Sequence, residues 1–266
     1  MSKLRIKPGA KVDLRDFDPD DTSIAPGDKE ECIAKSERLA VRLGELQELL
    51  FAEHKHKLLI VLQGMDTSGK DGTVRHVMRG VSPASVRVAS FKKPTQPELE
   101  HDFLWRVHAQ VPGAGEMVIF NRSHYEDILI VRVHELVPAA VWSRRYDHIN
   151  DFERMLTESG TTILKFFLHI SKEEQRERLQ ARIDNPTKRW KFNDVDVRER
   201  KLWGDYQKAY QDALEKTSTK WAPWIVVPSD QKWFRNYVVA KTIVDTLEAF
   251  AMEYPKPKLS IKTITD

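Results

Sequence analysis

The run Gly64-Met65-Asp66-Thr67-Ser68-Gly69-Lys70-Asp71-Gly72 concentrates residue types that can hold an anion. Gly64, Gly69 and Lys70 stand at the spacing G-x-x-x-x-G-K, directly after a continuous apolar run at 58–62. Glycines let the backbone turn tightly enough for several amide N–H groups to face one anion. A helix starting there adds its positive end, and Lys70 adds a mobile full charge. Gly64, Thr67, Ser68, Gly69, Lys70, Asp71 and Gly72 are therefore candidate phosphate-binding residues. The loop departs from the common pattern at Asp71, which stands where a Ser or Thr hydroxyl usually touches Mg²⁺. A metal must then be held differently, and Asp66 inside the loop is the first candidate. A carboxylate in a phosphate cradle repels the phosphates unless a cation sits between them.

A second set is Asn121-Arg122-Ser123-His124-Tyr125-Glu126-Asp127, after the apolar run 117–120. Ligands of doubly wound sheets bind beyond the carboxyl ends of the strands, so this segment should lie near the loop. Asn121 occupies a place where a metal-contacting Asp is common. Arg122 could clamp a transferring phosphoryl group, and Asp127 or Glu126 could supply the missing carboxylate. The acidic residues would equally suit the dipole of a helix N-terminus. His124 reads as a positioning residue rather than a base, because phosphate nucleophiles are already ionised at neutral pH. A third set is basic: Arg178, Arg182, Arg189 and Lys191 belong to a cluster over 176–201, interrupted by Asp184-Asn185-Pro186. Arg178 and Arg182 share one helical face. The cluster reads as a lid that closes over phosphates, the alternative being a solvated helix pair neutralised by Glu173, Glu174, Glu177 and Glu199. Trp190, Phe192 and Trp203 read as packing anchors, and the segment 91–95 is a further candidate for acceptor contacts.

The elements that must position these sets follow from apolar periodicity. Runs at 58–62, 86–89, 117–120, 163–170 and 224–227 predict five buried strands. Helical stretches are expected at 97–111, 139–158 and 172–183, flanked by helices over 28–53 and 233–252. Strands alternating with helices predict a mostly parallel sheet covered on both faces, a three-layer α/β/α sandwich. Pro, Gly and Asp residues make 1–27 a solvated extended arm, with the domain at 28–254 and a loose tail at 255–266. The chain has 266 residues, 41% hydrophobic and 31% charged, with a net charge of +3. So small a charge does not by itself imply a polyanionic partner, and no nucleic acid is expected. The single cysteine, Cys32, rules out an intramolecular disulfide and fits a reduced cytoplasmic setting. No secretory-type leader and no apolar run of about 18 residues is present, so no membrane span is expected.

The loop 64–72, the motif Phe120-Asn121-Arg122-Ser123-His124-Tyr125-Glu126-Asp127 and Arg189-Trp190-Lys191-Phe192 together resemble the polyphosphate kinase 2 family over about residues 10–255. The His-Tyr-Glu-Asp form of the second motif looks most like class III members. The resemblance implies a P-loop kinase fold similar to thymidylate kinase, with a helical lid. It implies transfer of phosphoryl groups from inorganic polyphosphate to AMP and ADP, giving ADP and ATP, with Mg²⁺ and in a homo-oligomer, dimer or tetramer. It also implies that Asp66 and Asp127 serve metal and nucleotide phosphates, and that Lys70 and Arg122 serve the transferred phosphoryl. Asn121, Arg122, His124, Glu126 and Asp127 would then line the nucleotide, and Arg178, Arg182, Arg189 and Lys191 the polyphosphate channel. Two rivals share the loop: an ATP-dependent nucleoside or nucleotide kinase, and a non-enzymatic polyphosphate-binding protein.

Overall fold

The computed structural model describes residues 1–192 and 194–256. Five strands, β1 (Lys57–Gln63), β2 (Val86–Ser90), β3 (Met117–Asn121), β4 (Thr161–His169) and β5 (Trp224–Pro228), form one parallel sheet among the described residues. Their order is β2-β3-β1-β4-β5. Side chains alternate across the sheet, as strand geometry requires. Leu59 and Val61 of β1, with Val118, Phe120, Phe167 and Val226, feed one apolar core. Leu58, Ile60 and Leu62, with Ile119, Phe166 and Val227, feed the other. Helices Arg145–Glu158 and Trp203–Thr217 supply Phe152 and Tyr210 to the first core. Helices Lys29–Glu53 and Lys232–Glu248 supply Leu43 and Val238 to the second. Three layers result, as the alternation of elements predicts. β1 lies between β3 and β4, so the loop at its carboxyl end opens at the middle of the sheet.

Several local expectations change. The single helix expected over 97–111 is two one-turn helices, Gln96–Leu99 and Trp105–His108. Between them the Asp102 carboxylate accepts from the Leu104 N–H at 2.9 Å, a local bond that competes with the helical one. The helix expected over 139–158 breaks at a turn between Ala139–Trp142 and Arg145–Glu158. The N-terminal arm is extended but not solvated along its length. Leu4, Ile6, Val12 and Leu14 are buried, the Ile6 N–H donates to the Trp224 carbonyl at 2.9 Å, and Arg5 bridges Ile225 in antiparallel sense. The arm therefore covers the β5 edge, which would otherwise present unpaired backbone groups. The end of the tail, 257–266, lies outside the described residues. No described helix is long and apolar enough to cross a membrane.

Candidate active site

The glycine loop leaves β1 at Gln63 and enters the helix Lys70–Val77. Gly64 has φ 154°, and a Cβ there would lie 2.7 Å from the Leu168 carbonyl oxygen. Gly69 has φ 100° and packs directly on the Arg235 guanidinium, so neither position accepts a side chain without strain. Lys70 arches back over its own loop, donating from Nζ to the Gly64 carbonyl at 2.6 Å and the Met65 carbonyl at 3.3 Å. Loss of water around Lys70, and then the nearby Arg122, lower its pKa from the ordinary lysine value. The hydroxyls of Thr67 and Ser68 are buried without a partner among the described residues. Buried hydroxyls are rarely left so, and an anion in the loop would accept from both.

Arg122 is held at φ 61°, in the left-handed region. This turns its guanidinium to Asp66 Oδ1 at 3.2 Å and to Glu126 Oε2 at 3.9 Å. Gln63 fixes the far side of that cluster, donating from Nε2 to Ser123 Oγ and to Glu126 Oε1, both at 3.1 Å. Burial raises the Glu126 carboxyl above its usual range, with Arg122 and Lys70 pulling against it. These groups open into a cavity of about 300 Å³ lined by Asp66, Lys70, Arg122, Glu126, Tyr206 and Tyr210. The lid closes its other side with Val195, Asp196 and Glu199. The cavity thus carries more carboxylates than cationic side chains, and a phosphate chain entering it would be repelled without added cations. Asp66 and Glu126 offer hard oxygen donors suited to a cation such as Mg²⁺. No group of three or more ligating side chains occurs among the described residues. A cation here would therefore complete its shell with water and substrate phosphates, as Mg²⁺ commonly does.

The structure separates some residues that the sequence groups together. Asp66 and Asp127 do not form a pair. Asp127 points away from the cavity and pairs with Arg145 at 2.9 Å, while Arg145 lies over the Phe103 ring at 4.9 Å. Its neighbour Glu126 is the carboxylate that faces Asp66 across Arg122. His124 is fully buried and bonds Glu153 at 3.2 Å, so it supports the segment from behind and does not line the cavity. Asn121 Nδ2 donates to Asp71 Oδ1 at 2.6 Å. The two residues that replace the usual metal contacts are therefore bonded to each other.

The basic cluster over 176–201 is divided between the base of the loop and the lid. Arg178 is buried under the loop, bonded to the carbonyls of Thr67, Ser68, Ser229 and Asp230. Its Nε donates to Glu174 Oε1 at 2.6 Å, so its donors are used on backbone and on this carboxylate, and it does not line the cavity. Arg182 remains on the lid, 3.8 Å from Asp196. Arg189 is exposed, donating from Nε to the Ile183 carbonyl at 2.9 Å. The Lys191 side chain lies outside the described residues. Arg200 ties the lid to its base through the Lys172 carbonyl at 2.6 Å and Gln175 Oε1 at 3.0 Å. Sequence reasoning missed Arg235, Gln63, Gln175 and the two tyrosines. Gln63 was the most legible of these, as an amide closing an otherwise apolar strand beside the loop.

Asp127 yields a pH-dependent expectation. Burial raises its carboxyl to about 6, against the pull of Arg145 and Arg106. A folded-state pKa above the unfolded value means tighter proton binding in the fold. That contribution is full below the unfolded pKa and is lost as pH rises through about 6. Asp127→Asn carries no such loss. Its stability relative to wild type should therefore improve by about 2 kcal/mol between pH 4 and pH 7.5, by urea unfolding. A difference that is flat with pH, or that falls, would contradict the burial argument.

A parallel sheet with a glycine loop and lysine at the end of its middle strand, buried partnerless hydroxyls in that loop and a helical lid define a P-loop phosphotransferase. The profile of the family Polyphosphate kinase 2 (PPK2) matches residues 27–255. The chain belongs to this family. It is 57% identical to an AMP/ADP-polyphosphate phosphotransferase of Meiothermus ruber, over 99% of both chains. It is 42% identical to an ADP-polyphosphate phosphotransferase of Rhodopseudomonas palustris, over 96% of this chain and 92% of that one. The crystal structure of polyphosphate kinase 2 from Arthrobacter aurescens TC1 superposes with a TM-score of 0.93 at 46% identity, covering 97% of this chain and 92% of that one.

Proposed function

We propose that this chain transfers the terminal phosphoryl group of inorganic polyphosphate to AMP and to ADP, giving ADP and ATP, reversibly and with Mg²⁺. The observation that carries the reading is the match along nearly the whole chain to the Meiothermus ruber AMP/ADP-polyphosphate phosphotransferase. The site chemistry supports it. A nucleotide phosphate oxygen attacks the terminal phosphorus, the bridging P–O bond breaks, and the shortened polyphosphate leaves with that electron pair. No strong base is needed, because the attacking oxygen is already ionised. Lys70 and the loop amides hold the transferred group. Arg122 balances the charge that develops on it and is itself aimed by Asp66 and Glu126. Mg²⁺ held by Asp66, with Glu126 close by, would offset repulsion between donor and acceptor phosphates. Val195, Asp196 and Glu199 on the lid side would limit water in the closed site. The same reading includes a homo-oligomer working in the cytoplasm.

The test is nucleotide chromatography after mixing the protein with polyphosphate, Mg²⁺ and AMP. ADP should form first and ATP second, with no other enzyme added. ADP without any ATP at excess polyphosphate would remove the dual-acceptor reading and leave the family intact. Turnover with ATP as sole donor and none with polyphosphate would favour an ordinary nucleotide kinase.

A further inference from the structure

Two guanidinium groups lie buried beneath the phosphate-binding loop. Arg178, from the helix Lys172–Asp184, donates Nη1 to the Thr67 and Ser68 carbonyls at 2.9 and 3.0 Å. Arg235, from the C-terminal helix, donates Nη1 to the same Ser68 carbonyl at 3.1 Å. The Ser68 oxygen thus accepts from two cations. In a trans peptide the C=O and the next N–H point in opposite directions, and the described residues contain no cis bond. Holding the Ser68 oxygen down on the arginines turns the Gly69 N–H away from them. A Cβ at Gly69 would collide with Arg235 Nη1, so the guanidinium is packed hard against the turn of the loop.

The charge balance beneath the loop is unequal. Arg178 has a carboxylate partner, Glu174, at 2.6 Å. Arg235 bonds the Asn236 amide oxygen at 2.9 and 3.2 Å and the Ser68 carbonyl, and no carboxylate among the described residues bridges it. Burial, and then Arg178, bring its pKa down to about 9 against a weaker pull from Glu174, which bonds Arg178 instead, so Arg235 stays charged at neutral pH. A buried cation without a bonded counter-ion is costly, and a neutral donor could make the same carbonyl bond. The anion that would balance this charge is one held on the other side of the loop.

We propose that Arg235, with Arg178, is a positioning residue for phosphoryl transfer: together they form a positive floor under the loop that orients the Ser68–Gly69 peptide and attracts the phosphate chain through it. The proposal rests on the reading of this loop as a polyphosphate site. It is tested on the full chain by calorimetric titration with tripolyphosphate in Mg²⁺, comparing wild type, Arg235→Gln and Arg235→Lys. Arg235→Gln should bind about tenfold more weakly, the scale of one charge acting over several ångströms at an intermediate dielectric. Arg235→Lys keeps the charge and should stay within about threefold of wild type. A merely structural arginine would lower the melting temperature of both variants and leave both dissociation constants unchanged, which would overturn the proposal. Equal weakening in Gln and Lys would overturn it too, since charge would then not matter. Should Arg235→Gln fail to fold, Arg235→Met, which keeps the apolar stem and removes the charge, takes its place with the same expected weakening. Failure of wild type to bind tripolyphosphate would instead refute the site reading, and the proposal with it.

Discussion

Asp66→Asn is expected to lower kcat by about two orders of magnitude, the scale typical of removing one preorganised electrostatic group. The substitution keeps size and hydrogen-bonding shape and removes one charge. In the proposed mechanism that charge does two things. It attracts the cation that lets two polyanions approach, and it anchors Arg122 through a contact at 3.2 Å. The residue after the loop lysine cannot substitute, because Asp71 is committed to Asn121. Asp127 cannot either, because it is turned to Arg145. Raising Mg²⁺ should recover part of the loss, since mass action offsets a weaker site. Steady-state kinetics across a Mg²⁺ series checks this. Near-wild-type turnover at limiting Mg²⁺ would sink the assignment and move the cation to Glu126.

The second large effect concerns stability. Lys165 sits fully buried on the core side of β4, where its neighbours along that face are Ile163 and Phe167. It donates to Glu153 Oε2 at 2.6 Å, to the Tyr125 hydroxyl at 2.8 Å and to the Thr217 carbonyl at 2.7 Å. Tyr125 in turn donates to Glu153 Oε1 at 2.7 Å. Burial pushes the Glu153 carboxyl up, but Lys165 and His124 together pull it below its ordinary value. Burial also lowers the Lys165 ammonium, against the pull of Glu153, and the 2.6 Å contact between them has the geometry of a charge-assisted bond. Glu153→Gln leaves a lysine charge buried and uncompensated. It should cost about 3–5 kcal/mol of unfolding free energy, the range for breaking a buried pair from one side. The double variant Glu153→Gln, Lys165→Met removes the orphaned charge and should recover much of that loss. Urea unfolding of the three proteins decides it. A cost within 1 kcal/mol for the single variant, or no recovery in the double, would show that Lys165 simply loses its proton. Because His124 and Tyr125 belong to this network, the destabilised variant should also bind nucleotide more weakly, through displacement of Arg122 and Glu126.

The strands, the three layers and the loop were legible in the amino-acid sequence because each depends on neighbours along the chain. The run 58–62 is apolar at every position, and Gly64, Gly69 and Lys70 act within a few residues of one another. Glycine conformations and a lysine arching back to Gly64 and Met65 need little beyond the local backbone. Lys165 interrupts an otherwise apolar strand, and a buried charge there must find a partner. Which carboxylate served it was not on view, and neither was the fate of the arginines. Arg178 shares a helical face with Arg182 and so reads as a companion on the lid, yet it bonds the Thr67 carbonyl 111 residues away. Arg235 meets Ser68 across 167 residues. Between Glu126 and Asp127 the sequence offers two adjacent carboxylates, and only the 3₁₀ turn His124–Ile128 sends one to Arg122 and the other to Arg145. Periodicity reports which face of an element is apolar, because burial acts on each residue separately. The partner of a buried charge depends on which elements the sheet order brings together, and on the few ångströms within which a hydrogen bond forms. That distance is set by packing across the whole domain, so the local strength of the loop was written in its own residues and its electrostatic setting only in the folded chain.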